Sequence, residues 1–313
     1  MSTIAAYLQS PGILSLTMQD AQAQRLQRLL PQHRIVQCHS ETEFIRTLPE
    51  ATIALTWIFR QEWFALAPQL RLVSTPAAGK DYFQVQWPAG IAHWNGAFHG
   101  RIMAESAVGM LLAMCRGILP ASTTYGDQPW PRHEIDLVSR TLYGSNVAIC
   151  GFGHIGRAIG ERLKPFGCRL FGISAHEHHD PPAYFSGSDQ LLTVDALDSI
   201  LPAADHLVLV LPRTPQTDGL LSRQRLALLP PHATVSNLGR GNAVDESALC
   251  EALRKRRLGG ACLDVTAEEP LPAQSPLRNC PNLWITPHSS AFTHRYMELY
   301  EDELVQRLRQ WTV

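Results

Sequence analysis

The sequence predicts an α/β fold with two domains, each a doubly wound parallel sheet covered by helices. Three observations support this: a length of 313 residues, 45% hydrophobic with 18% charged residues, and two series of apolar runs alternating with helical patterns. A chain of this length commonly forms two domains. The composition is typical of a globular protein with a large core.

The first series predicts an open, flavodoxin-like domain. Its strand-like runs are TIAAYL, HRIVQC, ATIALTW and LRLVSTP, with the helical patterns AQAQRLQRLL and TEFIRTL between them. Such alternation favours parallel strands joined by crossover helices. The amphipathic segment AFTHRYMELYEDELVQRLRQ has no strand after it, so we expect it to pack back on this domain. The predicted first domain therefore comprises residues 1–97 and 289–313.

The second series predicts a Rossmann domain over residues 98–288. Six strand-like runs separated by helical patterns fit that fold; they are NVAIC, CRLFGIS, HLVLVLP, ATVSNL, ACLDVT and NLWITPH. The segment before them, RIMAESAVGMLLAMCRGI, is long and strongly apolar. A helix this apolar needs a covering surface, so we expect a homodimer through Met103 to Ile118.

Charge, cysteines and hydropathy restrict the possible partners. A formal net charge of -1 and a pI near 6.9 provide no global positive field for nucleic acid or an anionic membrane. We therefore expect a small-molecule partner. The seven cysteines show no CxxC spacing, which favours reduced thiols. With neither a basic leader nor a membrane-length apolar run, the chain is predicted to be cytoplasmic.

A glycine-rich turn predicts a dinucleotide site. Gly151, Gly153 and Gly156 form GFGHIG with His154 and Ile155, directly after a strand-like run and at the start of a helix. In this motif the first glycine permits the tight turn and the second lets the backbone approach a pyrophosphate. The third lets the helix pack closely on the strand. The phosphates are expected at the helix N-terminus.

The residue at the end of the next strand-like run bears on the choice between NAD and NADP. Ser174 occupies the position where an acidic residue would hold the ribose of NAD. No carboxylate repels a 2′-phosphate there, so we favour NADP, with Arg213 as a possible phosphate ligand. The HEHHD run over residues 176–180 is interpreted as a solvated loop. We predict no metal site, because its residues are adjacent rather than convergent.

Three polar residues follow late strands and together suit the reduction of a ketone. They are Arg240 in SNLGRG, Glu269 in LDVTAEEPLP and His288 in ITPHSS. Hydride addition leaves negative charge on the carbonyl oxygen, which an imidazolium at His288 would protonate. A neighbouring carboxylate favours the imidazolium and orients it, the role predicted for Glu269. Arg240 offers a planar fork of donors for a substrate carboxylate.

The sequence resembles the D-isomer-specific 2-hydroxyacid dehydrogenases over essentially the whole chain. The matching stretches are AAGKD, MAESAVGMLLA, GFGHIGRAIGERLKPFG, LPRTPQT, NLGRG, DVTAEEPLP and TPHSSA. The resemblance implies an active site in a cleft between the two domains, with Arg240, Glu269 and His288 as the catalytic set. It also implies substrate carboxylate binding around Ala78 and Gly79.

The resemblance adds three cofactor contacts and suggests a branch. Asp264 would contact the nicotinamide carboxamide, and Pro212 and Thr217 would line the adenosine side; a strand end and a turn are the structural alternatives. Within the family the chain resembles the glyoxylate/hydroxypyruvate reductases. It departs from them in lacking the arginine that usually accompanies the serine at position 174, and in having SSA after His288, where glycine is common.

Aromatic residues after the third strand-like run are candidates for the substrate pocket. Trp57 and Phe59 would shape a pocket for the substrate side chain or simply pack in the core, and Arg60 would reach a second acidic group of a larger substrate. The open alternatives to a small 2-keto acid reductase are three. They are a dehydrogenase of a bulkier or phosphorylated D-2-hydroxy acid, a non-catalytic NAD(H)-sensing module, and a protein that kept the fold only for assembly.

Overall fold

A computed structural model describes residues 2–79, 81, 83–177 and 180–311. It divides the chain into two compact units, called unit 1 (Met1–His99 and Phe292–Val313) and unit 2 (Gly100–Ala291). The predicted domains, 1–97 with 289–313 and 98–288, stay a prediction. Compactness alone does not show where an independently folding domain begins.

Unit 1 is built on a parallel sheet. Its strands are β1 (Ser2–Tyr7), β2 (His33–Gln37), β3 (Ala51–Thr56), β4 (Leu72–Thr75) and β5 (Ala92–Asn95). They lie in the order β2-β1-β3-β4-β5 and all pair in parallel. The sequence predicted the first four. It missed β5, because this edge strand has four residues and none of them is fully buried.

Unit 2 is built on a larger parallel sheet. Its strands are β6 (Asn146–Cys150), β7 (Arg169–Ser174), β8 (Gln190–Thr193), β9 (His206–Leu209), β10 (Thr234–Asn237), β11 (Gly260–Leu263) and β12 (Leu283–Ile285). They lie in the order β12-β11-β10-β9-β6-β7-β8. Six had been predicted; β8 is the edge strand that the sequence did not show. The predicted α/β fold with two parallel sheets is confirmed.

Helices connect the strands of both sheets. They are α1 (Asp20–Leu29), α2 (Glu41–Thr47), α3 (His99–Cys115), α4 (Ile118–Ser122), α5 (Arg132–Val138), α6 (His154–Leu163), α7 (Leu197–Ile200), α8 (Arg223–Leu228), α9 (Glu246–Arg254) and α10 (Tyr296–Gln310). The last helix, α10, lies in unit 1, where Glu301 and Asp302 bind Arg25 of α1 at 2.8 and 2.6 Å. Among the described residues, no helix has both the length and the hydropathy to cross a lipid bilayer.

Alternation along β6 shows how the sheet of unit 2 separates two cores. Val147 and Ile149 pack with α3 and α6 on one face, and Ala148 and Cys150 pack on the other. Both faces are therefore apolar, as expected of a parallel strand covered by helices. Strand order reverses at β6, with β9 on one side and β7 on the other. Ligands of open α/β sheets bind beyond the carboxyl ends of the strands at such a point.

Candidate active site

The turn between β6 and α6 has a different steric requirement at each glycine. Gly151 has a φ of +94°, and a Cβ there would lie 2.5 Å from the Val210 carbonyl oxygen. A Cβ on Gly156 would overlap the Gly151 carbonyl oxygen, whereas one on Gly153 would meet nothing within 4 Å. Gly151 and Gly156 thus permit close packing, and the open space at Gly153 fits the approach of a pyrophosphate.

The first turn of α6 presents backbone N–H donors. Its N-cap residue, Gly153, has no side chain, so among the described residues no N-cap side chain accepts a hydrogen bond from these N–H groups. His154 is exposed and Ile155 half-buried in the first turn. A helix start of this kind is a ready anion site. Contact of these residues with a cofactor stays a prediction.

The loop that follows β7 is contacted by an arginine that the sequence did not suggest. Ser174 ends the strand, and its hydroxyl donates to the His176 carbonyl oxygen at 2.8 Å. Arg157 of α6 reaches the same loop, since its Nη2 donates to the Asp180 carbonyl oxygen at 3.1 Å. His178 and His179 lie outside the described residues, so the absence of a metal site stays a prediction.

The loop after β9 is closed by a threonine. The Thr217 hydroxyl donates to the Pro212 carbonyl oxygen at 2.7 Å and accepts from the Thr214 amide at 3.0 Å. Arg213 is exposed on this loop. The turn that was weighed as the structural alternative for Thr217 is therefore present. Adenosine contact by Pro212 and Thr217 stays a prediction.

Arg240 lies on a turn fixed by its neighbours. The Asn237 side chain accepts from the Gly239 amide at 3.1 Å and donates to the Arg240 carbonyl oxygen at 3.0 Å. A Cβ on Gly239 would overlap the backbone of Leu211, and one on Gly241 would overlap that of Thr266. The close approach on both sides sets the position from which the Arg240 side chain leaves the backbone.

Glu269 and His288 form a hydrogen-bonded pair beyond the ends of β11 and β12. The Nδ1 atom of His288 lies 2.8 Å from Oε2 of Glu269, and the two side chains are 43% and 37% exposed. The other oxygen, Oε1, accepts from the Thr266 amide at 3.0 Å. The carboxylate thus fixes the imidazole with a proton on Nδ1, which leaves Nε2 to exchange a proton with a substrate.

Asp264 organises the backbone that carries His288. Its carboxylate is 1% exposed and accepts from the Thr286 hydroxyl at 2.6 Å and the Ser289 amide at 2.8 Å. It also accepts from the Ser290 amide at 3.0 Å. His288 has a φ of +51°, an unusual conformation for a residue with a side chain. Asp264 therefore stabilises this segment; its contact with a carboxamide stays a prediction.

The substrate residues predicted in unit 1 are half-buried or exposed. Trp57 follows β3, its Nε1 donates to the Leu16 carbonyl oxygen at 3.1 Å, and its ring lies 6.1 Å from that of Tyr296. Ala78 is exposed after β4, and the Gly79 carbonyl oxygen accepts from Asn95 at 2.8 Å. These positions within unit 1 do not test whether Trp57, Ala78 and Gly79 contact a substrate. That contact stays a prediction.

Phe59 and Arg60 have partners inside unit 1. Phe59 is 3% exposed and its ring packs on those of Trp63 and Phe64, in agreement with the packing alternative. Arg60 pairs with Glu41 at 2.9 Å and lies over the Trp63 ring at 5.3 Å.

Known proteins match this chain in sequence and in fold. The NAD-binding domain of the D-isomer specific 2-hydroxyacid dehydrogenases matches residues 108–290. Glyoxylate/hydroxypyruvate reductase B of Pectobacterium carotovorum subsp. carotovorum is 32% identical over 73% of this chain and 71% of its own. D-3-phosphoglycerate dehydrogenase of Methanocaldococcus jannaschii is 32% identical over 72% of this chain, but the match spans only 43% of its own.

A solved structure extends the similarity to the whole chain. The D-isomer specific 2-hydroxyacid dehydrogenase from Xanthobacter autotrophicus Py2, in complex with NADPH and MES, is 26% identical with a TM-score of 0.76. The superposition covers 99% of this chain and 95% of that one. Both units therefore have counterparts in one solved protein.

Proposed function

Because the chain belongs to the D-isomer specific 2-hydroxyacid dehydrogenase family, an oxidoreductase family, we propose that it reduces a small 2-keto acid to the D-2-hydroxy acid. The substrate is of the glyoxylate or hydroxypyruvate type. The observation that carries this proposal is the Glu269–His288 pair, 2.8 Å apart, with Arg240 on a neighbouring strand end. An acid, its orienting carboxylate and an anion-binding fork are what the reduction requires.

Each residue of the set has a defined task. A bound nicotinamide supplies the hydride. Nε2 of His288 donates a proton to the carbonyl oxygen as negative charge develops there. Glu269 holds the imidazole through Nδ1 and stabilises the imidazolium, while Arg240 binds the substrate carboxylate and polarises the carbonyl. Asp264 keeps His288 in place through the segment that carries it.

The cofactor is proposed to be NADPH in preference to NADH. The uncapped start of α6 and the space at Gly153 fit a dinucleotide, with Gly151, Gly156, His154 and Ile155 around its pyrophosphate. The absence of a carboxylate at Ser174, and Arg157 on the loop at Asp180, support a 2′-phosphate. On the other side of the site the proposed contacts are Pro212, Arg213, Thr217 and Asp264.

Unit 1 is proposed to supply the substrate side. Backbone groups around Ala78 and Gly79 would bind the substrate carboxylate, with Trp57 beside the side chain. A phosphorylated substrate would need an additional cation. Arg60, the candidate for that role, is already paired with Glu41. This pairing favours a small acid over a phosphorylated one.

We also propose an oligomeric state and a cellular location for the protein. We propose a homodimer through Met103 to Ile118, because Val108, Met110 and Leu112 remain half-exposed and Ile118 is 59% exposed. A cytoplasmic location is proposed because all seven cysteines are free and buried.

Turnover with each cofactor tests the function. We would follow the oxidation of NADPH and of NADH with glyoxylate, hydroxypyruvate, pyruvate and phenylpyruvate, comparing wild type with His288→Ala. We expect NADPH-dependent turnover of glyoxylate and hydroxypyruvate, reduced about 10²–10⁴-fold in the variant. His133→Ala, which changes an exposed histidine of α5, is the matched control and should keep full activity. Tight cofactor binding without turnover of any acid would contradict the proposal and favour the NAD(H)-sensing module.

A further inference from the structure

A second carboxylate, that of Glu246, contacts the turn that carries Glu269. Glu246 is the first residue of α9, directly after Asp245, whose side chain caps that helix by accepting from the Ala248 amide at 2.9 Å. The Oε1 atom of Glu246 accepts a hydrogen bond from the Ala267 amide at 2.6 Å. Ala267 belongs to the turn that leads to Glu269, and Glu246 is therefore attached to the segment that presents the catalytic carboxylate.

The turn from Thr266 to Glu269 is held on more than one side. The Thr266 hydroxyl donates to the Glu268 carbonyl oxygen at 2.8 Å, and Gly241 lies so close to the Thr266 backbone that a Cβ would overlap it. Glu246 adds a link to α9, a helix anchored in the core by its apolar face. A link of this kind transmits the position of a rigid element to the catalytic group.

The charge of Glu246 also interacts with that of Glu269. Burial raises the pKa of the Glu246 carboxyl, and the negative charge of Glu269 raises it further, against the lowering effect of the Ala267 amide. The two carboxylates therefore lie close enough for their charges to interact. Charged side chains on the neighbouring turns and strand ends include Asp245, Asp264, Glu268 and Arg240.

We propose that Glu246 is a positioning residue for the acid of the proposed reaction. It fixes the turn of Glu269 through Ala267, and thereby the carboxylate that orients the His288 ring. The catalytic consequence rests on the proposed function, whereas the effect on the surroundings of the His288 ring does not.

Two substitutions separate the hydrogen bond from the charge. Glu246→Gln keeps an oxygen for the Ala267 amide and removes the charge, while Glu246→Ala removes both. Glu268→Gln makes the same charge change on an exposed side chain of the same turn and serves as the matched control. The ring signals of the protein labelled with ¹³C-histidine are recorded by NMR at one fixed pH, and the signal of His288 is assigned by its loss in His288→Ala.

We expect the ring signal of His288 to shift in Glu246→Ala, which loses the link to the turn, and to keep its wild-type position in Glu246→Gln and Glu268→Gln. In Glu246→Ala we expect kcat to fall about tenfold with the KM for NADPH unchanged.

Two results would overturn the proposal: a His288 signal in a folded Glu246→Ala that coincides with wild type, or full kcat in that variant. If Glu246→Ala does not fold, hydrogen exchange of the Ala267 amide in the wild type decides, and exchange as fast as that of an exposed amide contradicts the proposal. If the wild type reduces none of the acids, the proposed function fails while the NMR signal of His288 still tests Glu246.

Discussion

The two parallel sheets present different groups at their carboxyl ends. In unit 2, ionisable side chains follow three neighbouring strands, β10, β11 and β12; they are Arg240, Asp264, Glu269 and His288. In unit 1, the residues after β3 and β4 offer an aromatic ring at Trp57 and backbone groups at Ala78 and Gly79. In the proposed function, unit 2 would provide the proton and charge chemistry, whereas unit 1 would shape what is bound.

The carboxyl ends of the two sheets also differ in how their side chains are fixed. Hydrogen bonds to backbone amides fix the carboxylates of unit 2, and glycines packed against neighbouring backbones fix the turn of Arg240. In unit 1 the residues after β3 are fixed by ring packing around Phe59 and Trp63. Hydrogen-bonded groups tolerate little displacement, so substitutions should cost more activity in unit 2 than in unit 1.

The largest expected difference between the units is in turnover. Arg240→Lys keeps the charge but loses the planar fork of donors, so kcat/KM should fall about 10²–10³-fold. Trp57→Phe keeps an aromatic ring in unit 1 and should change kcat/KM less than about tenfold. Steady-state kinetics measure both, and NADPH binding followed by fluorescence should be unchanged in each. Equal losses of kcat/KM in the two variants would contradict the expected difference between the units.

Two glycines of unit 2 should separate cofactor binding from stability. Gly153→Ala adds a methyl group where nothing lies within 4 Å. Its unfolding free energy should change by less than about 1 kcal/mol, while the Kd for NADPH should rise at least about tenfold. Gly156→Ala places its methyl group on the Gly151 backbone and should destabilise the fold by about 1–3 kcal/mol. Urea denaturation and fluorescence titration measure the two quantities; a destabilised Gly153→Ala with normal affinity would contradict this assignment.

The two units should respond to pH in opposite directions. Burial raises the pKa of Glu301 in unit 1 to about 7, while burial lowers the pKa of His206 in unit 2 to about 4. Folded Glu301 keeps a proton that the unfolded chain loses near pH 4.5, so its contribution is present in acid and is lost as pH rises to about 7. Folded His206 stays neutral, so its contribution is present above about pH 6.5 and is lost as pH falls to about 4.

Hydrogen exchange at several pH values measures this contrast for each unit. Glu301→Gln should flatten the pH dependence of unit 1 between pH 5 and 7, and His206→Asn should flatten that of unit 2 between pH 4 and 6, each by about 1–2 kcal/mol. Wild-type protection that follows the same pH trend in both units, unaltered by either variant, would argue against the assignment.

Sequence patterns predicted the parts of the fold that depend on local order. The long apolar strands, the glycine turn at Gly151 and the three strand ends with Arg240, Glu269 and His288 all followed from runs of adjacent residues. The edge strands β5 and β8 were missed, since each has four residues and no fully buried position. A short strand at a sheet edge buries too little to leave an apolar run in the sequence.

Residues that act across the sheet could not be predicted from spacing. Asp264 binds the segment around Ser289, 25 positions away, and Glu246 binds Ala267, 21 positions away. Arg157 approaches the loop at Asp180 in the same way. Parallel pairing brings these segments together, because successive strands end at one edge. An acidic residue directly after β11 was visible in the sequence, but the donors that it accepts from were not.

The buried thiols give the protein an internal measure of how its parts open. Burial raises the pKa of Cys38, the single cysteine of unit 1, and raises the pKa of Cys150 and Cys262 in unit 2 to about 12. Thiolates are the reactive form, so these sulfurs react with an alkylating reagent only when the surrounding structure opens. One cysteine lies in unit 1 and the other six in unit 2. The mass added during a short pulse of reagent, located by peptide, therefore reports which half of the chain opens first and how often.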